Sequence, residues 1–235
     1  MTKQADLMAY VFEGQPHLLS DEIYRWMDIS PRFTAFVETY RDKIRKKVRL
    51  AREPETALDL RGELEVAYAL LDDRRLDVAY EPYASAKRRG SDFAVTYRAN
   101  LVFNIEVARM RMDESGLPRK EERFLRLLLY KLGQMQPGMP NLLVIHTRNE
   151  LAGSLDLNKL MQEIKTRVEK KEPAFYEVSR YESPAAFYKD FLRLSAILLW
   201  AAEAQLWVNK QARPALEEKV LRLVASLVPG MTLDT

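Results

Sequence analysis

The sequence predicts an α/β protein with a mixed central sheet, three antiparallel strands plus a helix-linked fourth, flanked by helices. Three observations predict it. Residues 76–83, 91–98 and 101–110 are rich in β-branched and aromatic side chains and are joined by short links, as antiparallel neighbours are. Residues 141–147, NLLVIHT, form a continuous apolar run after a helical segment, the pattern of a buried strand reached by a crossover. Around these runs lie segments whose apolar residues recur at helical spacing.

Residues 1–30 read as irregular helix, with Gly14, Pro16 and Pro31 as breakers. Ser30-Pro31 has the form of a helix start, an N-cap followed by proline at the first helical position. From there Phe33, Phe36, Val37, Tyr40, Ile44 and Val48 continue one apolar face toward Pro54. A second helix is predicted over 56–72, marked by Leu60, Leu64, Ala67 and Leu71. After the three strands, Gly116-Leu117-Pro118 is a break, and 119–135 is a helix carrying Phe124, Leu128, Lys131, Leu132 and Met135. Beyond the fourth strand the spacing predicts a helix over 155–170, an edge strand at Tyr176 to Val178, and two closing helices over 184–208 and 214–228. The helix at 184–208 is apolar on much of its circumference, so it is buried in the core or against a second copy, which allows a homodimer through the C-terminal helices. No repeat and no convincing domain boundary stands out, so 1–235 is read as one domain: N-terminal helices at 1–55, a core at 56–147 and a helical part at 148–235.

Composition narrows the chemistry. The chain has no cysteine and two histidines, which excludes disulfides, thiolate zinc and a Cys nucleophile and disfavours multi-His metal sites. Any metal chemistry falls to carboxylates and a hard ion such as Mg²⁺. No apolar run approaches the roughly 20 residues of a membrane span. The N-terminus has no basic stretch leading into an apolar core, so the expectation is a cytoplasmic protein with no membrane partner. The net charge of +3 is unremarkable, but the basic residues are clustered. Seven lie between Arg41 and Arg52, Lys46 and Lys47 among them, and Lys87, Arg88 and Arg89 form a second group just before Asp92. Each cluster reads either as a solvated face or as a contact for a phosphate backbone.

Three acids stand out: Glu63 on the helix before the strands, Asp92 at the head of the second strand, and Glu106 deep in the third. An acid inside an apolar strand is costly to bury without a partner, and two on adjacent strands suggest a shared one. Together with a backbone carbonyl, here that of Val107, Asp92 and Glu106 can hold one Mg²⁺ or Mn²⁺, with Glu63 completing the shell. The period of two puts Asn104, Glu106 and Ala108 on one face of the strand and Ile105, Val107 and Arg109 on the other.

This arrangement resembles the PD-(D/E)XK nuclease superfamily, with its restriction-endonuclease-like core of helix, three strands, helix and strand. Glu63 matches the helix acid, Ser91-Asp92-Phe93 the Asp element, and Glu106-Val107-Ala108 the Glu-X-Lys element, over roughly residues 56–147. The resemblance implies a Mg²⁺-dependent hydrolase acting on DNA phosphodiester bonds, with Glu63, Asp92 and Glu106 as catalytic acids. The departure is Ala108, which stands where the motif has lysine and can neither position water nor offset negative charge. Lys131, on the following helix, is the candidate replacement; otherwise it is a solvated residue. If nothing replaces the lysine, the alternative is a catalytically inactive scaffold that binds nucleic acid or protein. Glu81-Pro82 resembles a feature of the same core, and His146 reads as a core histidine rather than a site residue.

Overall fold

A computed structural model describes residues 3–83, 90–111, 120–147, 155–228 and 231. They are α/β, with ten helices and six strands in a mixed sheet, so the four strands expected from the sequence are two too few. The chain divides into two compact units, Met1–Tyr80 and Glu81–Thr235. Among the described residues no helix is long and apolar enough to cross a membrane.

The first unit holds α1 (Lys3–Val11), α2 (Ser20–Ile29), α3 (Pro31–Thr39), α4 (Arg41–Leu50), α5 (Pro54–Asp72) and β1 (Leu76–Tyr80). The predicted helix start is present: the Ser30 hydroxyl accepts from the Phe33 N–H at 3.2 Å, and Pro31 opens α3. The single helix expected from Pro31 toward Pro54 is instead two. Tyr40 leaves helical geometry (φ −106°, ψ 17°) and its ring packs against Phe36 and Tyr80, so α3 ends and α4 starts around it. The Arg32 guanidinium donates to the carbonyls of Leu71 and Asp73, each at 2.7 Å, and of Leu76 at 2.5 Å. One side chain thus satisfies carbonyls at the end of α5 and at the entry to β1, groups that no helical bond can reach.

The second unit holds β2 (Phe93–Tyr97), β3 (Leu101–Arg109), α6 (Lys120–Leu132), β4 (Asn141–His146), α7 (Leu157–Glu169), α8 (Pro173–Val178), α9 (Pro184–Phe191), β5 (Leu194–Trp200), β6 (Gln205–Val208) and α10 (Glu218–Ser226). Strands β2 and β3 form the expected antiparallel hairpin, closed through left-handed Arg98 and Ala99. Strand β4 is parallel to both β3 and β5, and β6 returns antiparallel to β5. The apolar faces of α6, α7 and α9 meet Leu143, Ile145, Ile197 and Leu199 in one core, with Ala108 packed against it.

Two expectations are overturned here. Tyr176–Val178 is not an edge strand but part of α8, which Pro173 opens at its first position. The helix expected over 184–208 stops at Phe191, and LSAILLW becomes β5, buried from Leu194 to Leu199 and paired on both sides. A short run that is apolar throughout carries no period, so helix and interior strand look alike in sequence. Of the two closing helices expected, the second is present as α10, while residues 194–200 of the first lie inside the sheet.

Buried polar groups tie β3 and the starts of β4 and β5 to neighbouring loops. Asn104, fully buried, accepts from the Tyr83 hydroxyl at 3.0 Å. The Asn141 amide donates to the carbonyls of Gln136, Met139 and Arg193 within 3.0 Å. The Asn141 N–H donates to the Ser195 hydroxyl, which in turn donates to the Pro214 carbonyl.

Candidate active site

The site sits where the β2–β3 ladder stops. The last paired residues are Phe93 and Ile105, so the next outward-facing peptide groups on β3 belong to Val107. Side chains take over there. The Val107 N–H donates to Asp92 Oδ2 at 2.8 Å, and the Val107 carbonyl accepts from Lys131 Nζ at 3.0 Å. The same ammonium donates to Glu106 Oε1 at 2.5 Å. Asp92 is fixed from its backbone as well, because its carbonyl accepts from the N–H of Glu81, a left-handed residue, at 2.7 Å.

Two carboxylates, one carbonyl and one ammonium are therefore gathered around a single residue, Val107. The alternation of β3 turns Glu106 and Ala108 toward α6, and the helix brings Lys131 back to the same face. Ala108 offers no cation on this face, and the ammonium that reaches Glu106 comes from α6. Burial is graded across the group: the Glu106 side chain is 4% exposed and that of Lys131 15%. A carboxylate so buried keeps its charge only beside a cation, and the ammonium meets that need.

The donor set is oxygen only, which suits a hard divalent ion rather than zinc or copper. Among the described residues there is no group of three or more acids or histidines able to hold a metal, so the third protein oxygen would be the Val107 carbonyl. In the structure that carbonyl and Glu106 Oε1 share the lysine ammonium.

The remaining sequence candidates separate by unit and by partner. Glu63 belongs to the first unit, where its Oε2 accepts from Lys47 at 2.5 Å and from the Tyr80 hydroxyl at 2.7 Å, while the Lys47 ammonium lies over the Tyr80 ring. Lys47 is thus engaged inside its own unit, whereas Lys46 is exposed on α4. Arg45 and Arg49 converge on Glu13. Much of the basic segment therefore serves helix packing. Lys87, Arg88 and Arg89 lie outside the described residues. His146 is 8% exposed and stacks on Trp200 at 5.2 Å, the setting of a core histidine. Sequence reading missed Tyr83 and Asn141; a polar residue opening an otherwise apolar strand was the available signal for Asn141. No protein-family model, no curated protein and no solved structure matches this chain.

Proposed function

We propose that the chain is a metal-dependent nuclease-like protein of the PD-(D/E)XK kind, acting on DNA phosphodiester bonds. The observation that carries this reading is the reach of Lys131 to Glu106 and to the Val107 carbonyl, beside the Asp92 carboxylate. It joins in space the acid, acid and lysine that the motif carries on two strands, although the lysine comes from α6. Asp92, Glu106 and the Val107 carbonyl would hold Mg²⁺ or Mn²⁺. The chemistry supplied by the bound ion is polarisation of a phosphodiester oxygen and acidification of a bound water. Lys131 would orient the attacking water from the Glu106 side and offset charge that develops on the phosphate. Glu63 carries no assigned step, because its carboxylate is held by Lys47 and Tyr80. Lys46 is the exposed candidate for a backbone phosphate.

A second reading is a scaffold without catalysis, favoured by the same ammonium: an acid already neutralised by lysine needs no ion. The test is cleavage of plasmid, single-stranded DNA and RNA with Mg²⁺ or Mn²⁺. The nuclease reading expects DNA nicking that falls about 100-fold or more in Lys131→Ala and in Asp92→Ala. Wild-type protein that cuts none of these substrates with either ion leaves the scaffold.

A further inference from the structure

We infer, on the basis of the metal reading proposed above, that the Lys131 ammonium is a built-in competitor for the divalent cation: the two are alternative occupants of the same oxygen cage. The ammonium donates to Glu106 Oε1 at 2.5 Å and to the Val107 carbonyl at 3.0 Å, two of the three oxygens assigned to the ion. The third, from Asp92, is fixed to the N–H of the same residue, Val107, at 2.8 Å. A Mg²⁺ ion takes its oxygens at about 2.1 Å in near-octahedral directions. An ion at that distance from both oxygens and an ammonium hydrogen-bonded to both would lie within roughly 4 Å of each other in a partly desolvated site, where their repulsion disfavours joint occupancy.

The device has a structural use. Without an ion, Lys131 keeps the Glu106 carboxylate compensated, which lets the acid stay buried in its strand. Loading an ion requires the ammonium to withdraw from the Val107 carbonyl, which its flexible four-carbon stem and its position at the C-terminal turn of α6 permit. The protein's affinity for metal is therefore lowered by the fraction of molecules in which Lys131 is docked. A lysine placed to assist the chemistry would by this account also decide when the ion enters.

The experiment is Mn²⁺ binding followed by calorimetry and by water-proton relaxation, with thermal unfolding in chelator and in saturating Mn²⁺. It compares wild type with Lys131→Gln, Lys131→Met and Glu106→Gln. Lys131→Gln and Lys131→Met are expected to bind Mn²⁺ about tenfold or more tightly than wild type, to melt lower in chelator, and to gain more from Mn²⁺ than wild type does. Glu106→Gln is expected to lose binding. Should a lysine variant not fold in chelator, its recovery by Mn²⁺ supports the competition, and failure to recover counts against it. Lysine variants that bind no tighter than a wild type that does bind would overturn the competition and leave the metal site standing. If no form binds Mn²⁺, the metal reading itself falls, and the competition with it.

Discussion

Two lysine–glutamate pairs of equal length sit in the two units, and their surroundings differ. Lys47–Glu63 and Lys131–Glu106 both close at 2.5 Å. In the first unit the pair joins α4 to α5, its side chains are 24% and 18% exposed, and a tyrosine hydroxyl shares the carboxylate. In the second unit the pair joins α6 to an interior strand, and the acid is 4% exposed. The sequence marks both acids as candidates, yet only the inner one is built into a sheet beside a peptide whose ladder has run out. Burial decides how much of each pair survives as energy. Water screens the outer pair, while the inner one has been desolvated and depends on its partner.

The largest effect that can test this contrast is removal of the inner ammonium. Lys131→Ala is expected to cost about 3–5 kcal/mol in urea unfolding, the cost of stripping a buried carboxylate of its cation. Lys47→Ala, at the outer pair, is expected to cost about 1 kcal/mol or less. Double-mutant cycles sharpen the comparison, since they separate the pair from the packing each side chain also supplies. A coupling energy at Lys131–Glu106 no greater than that at Lys47–Glu63 would break it.

The order of elements from α5 to β4 was readable because the helices have a period and the strands are short runs bounded by breaks, and the acids stood out because charge in an apolar strand is conspicuous. The connection of Lys131 to Glu106 was readable only as an option. Twenty-five positions separate the two, and nothing in residue type says whether a helix lysine reaches inward or into water. Residues 194–200 were misread for the opposite reason: they are so uniformly apolar that no period distinguishes an interior strand from a buried helix. Asn141 carried only the signal of a polar residue opening an apolar strand; its acceptors are backbone carbonyls, one of them 52 positions away, and no side-chain pattern encodes those.

A middle-sized effect isolates the Val107 N–H beside the site. Asp92→Ala removes the acceptor of the Val107 N–H where the β2–β3 ladder has already ended. Leaving that donor unmet is expected to cost about 1–3 kcal/mol. Hydrogen exchange at the Val107 amide should accelerate, while exchange at Val95, within the paired part of the hairpin, stays slow. Equal acceleration at both would mean that Asp92 supports the whole hairpin rather than the peptide beside the site.

The smallest effect belongs to a charge cluster nearer the solvent, and its sign follows from the direction of the shift. Hydrogen bonds from Arg49 and then Arg45 hold the Glu13 carboxyl down at about 2, against an ordinary 4.5. A lowered carboxylate stabilises the fold fully above its unfolded value and loses that contribution as pH falls through its folded one. The advantage of wild type over Glu13→Gln should therefore be constant above about pH 5 and shrink steadily toward about pH 2. The group is partly open to solvent, so the advantage should also shrink with added salt at neutral pH, whereas the Lys131–Glu106 coupling should persist. Equal salt sensitivity of the two would show that the inner pair is wetter than its burial implies, and would remove the physical basis for setting it apart from the outer ones.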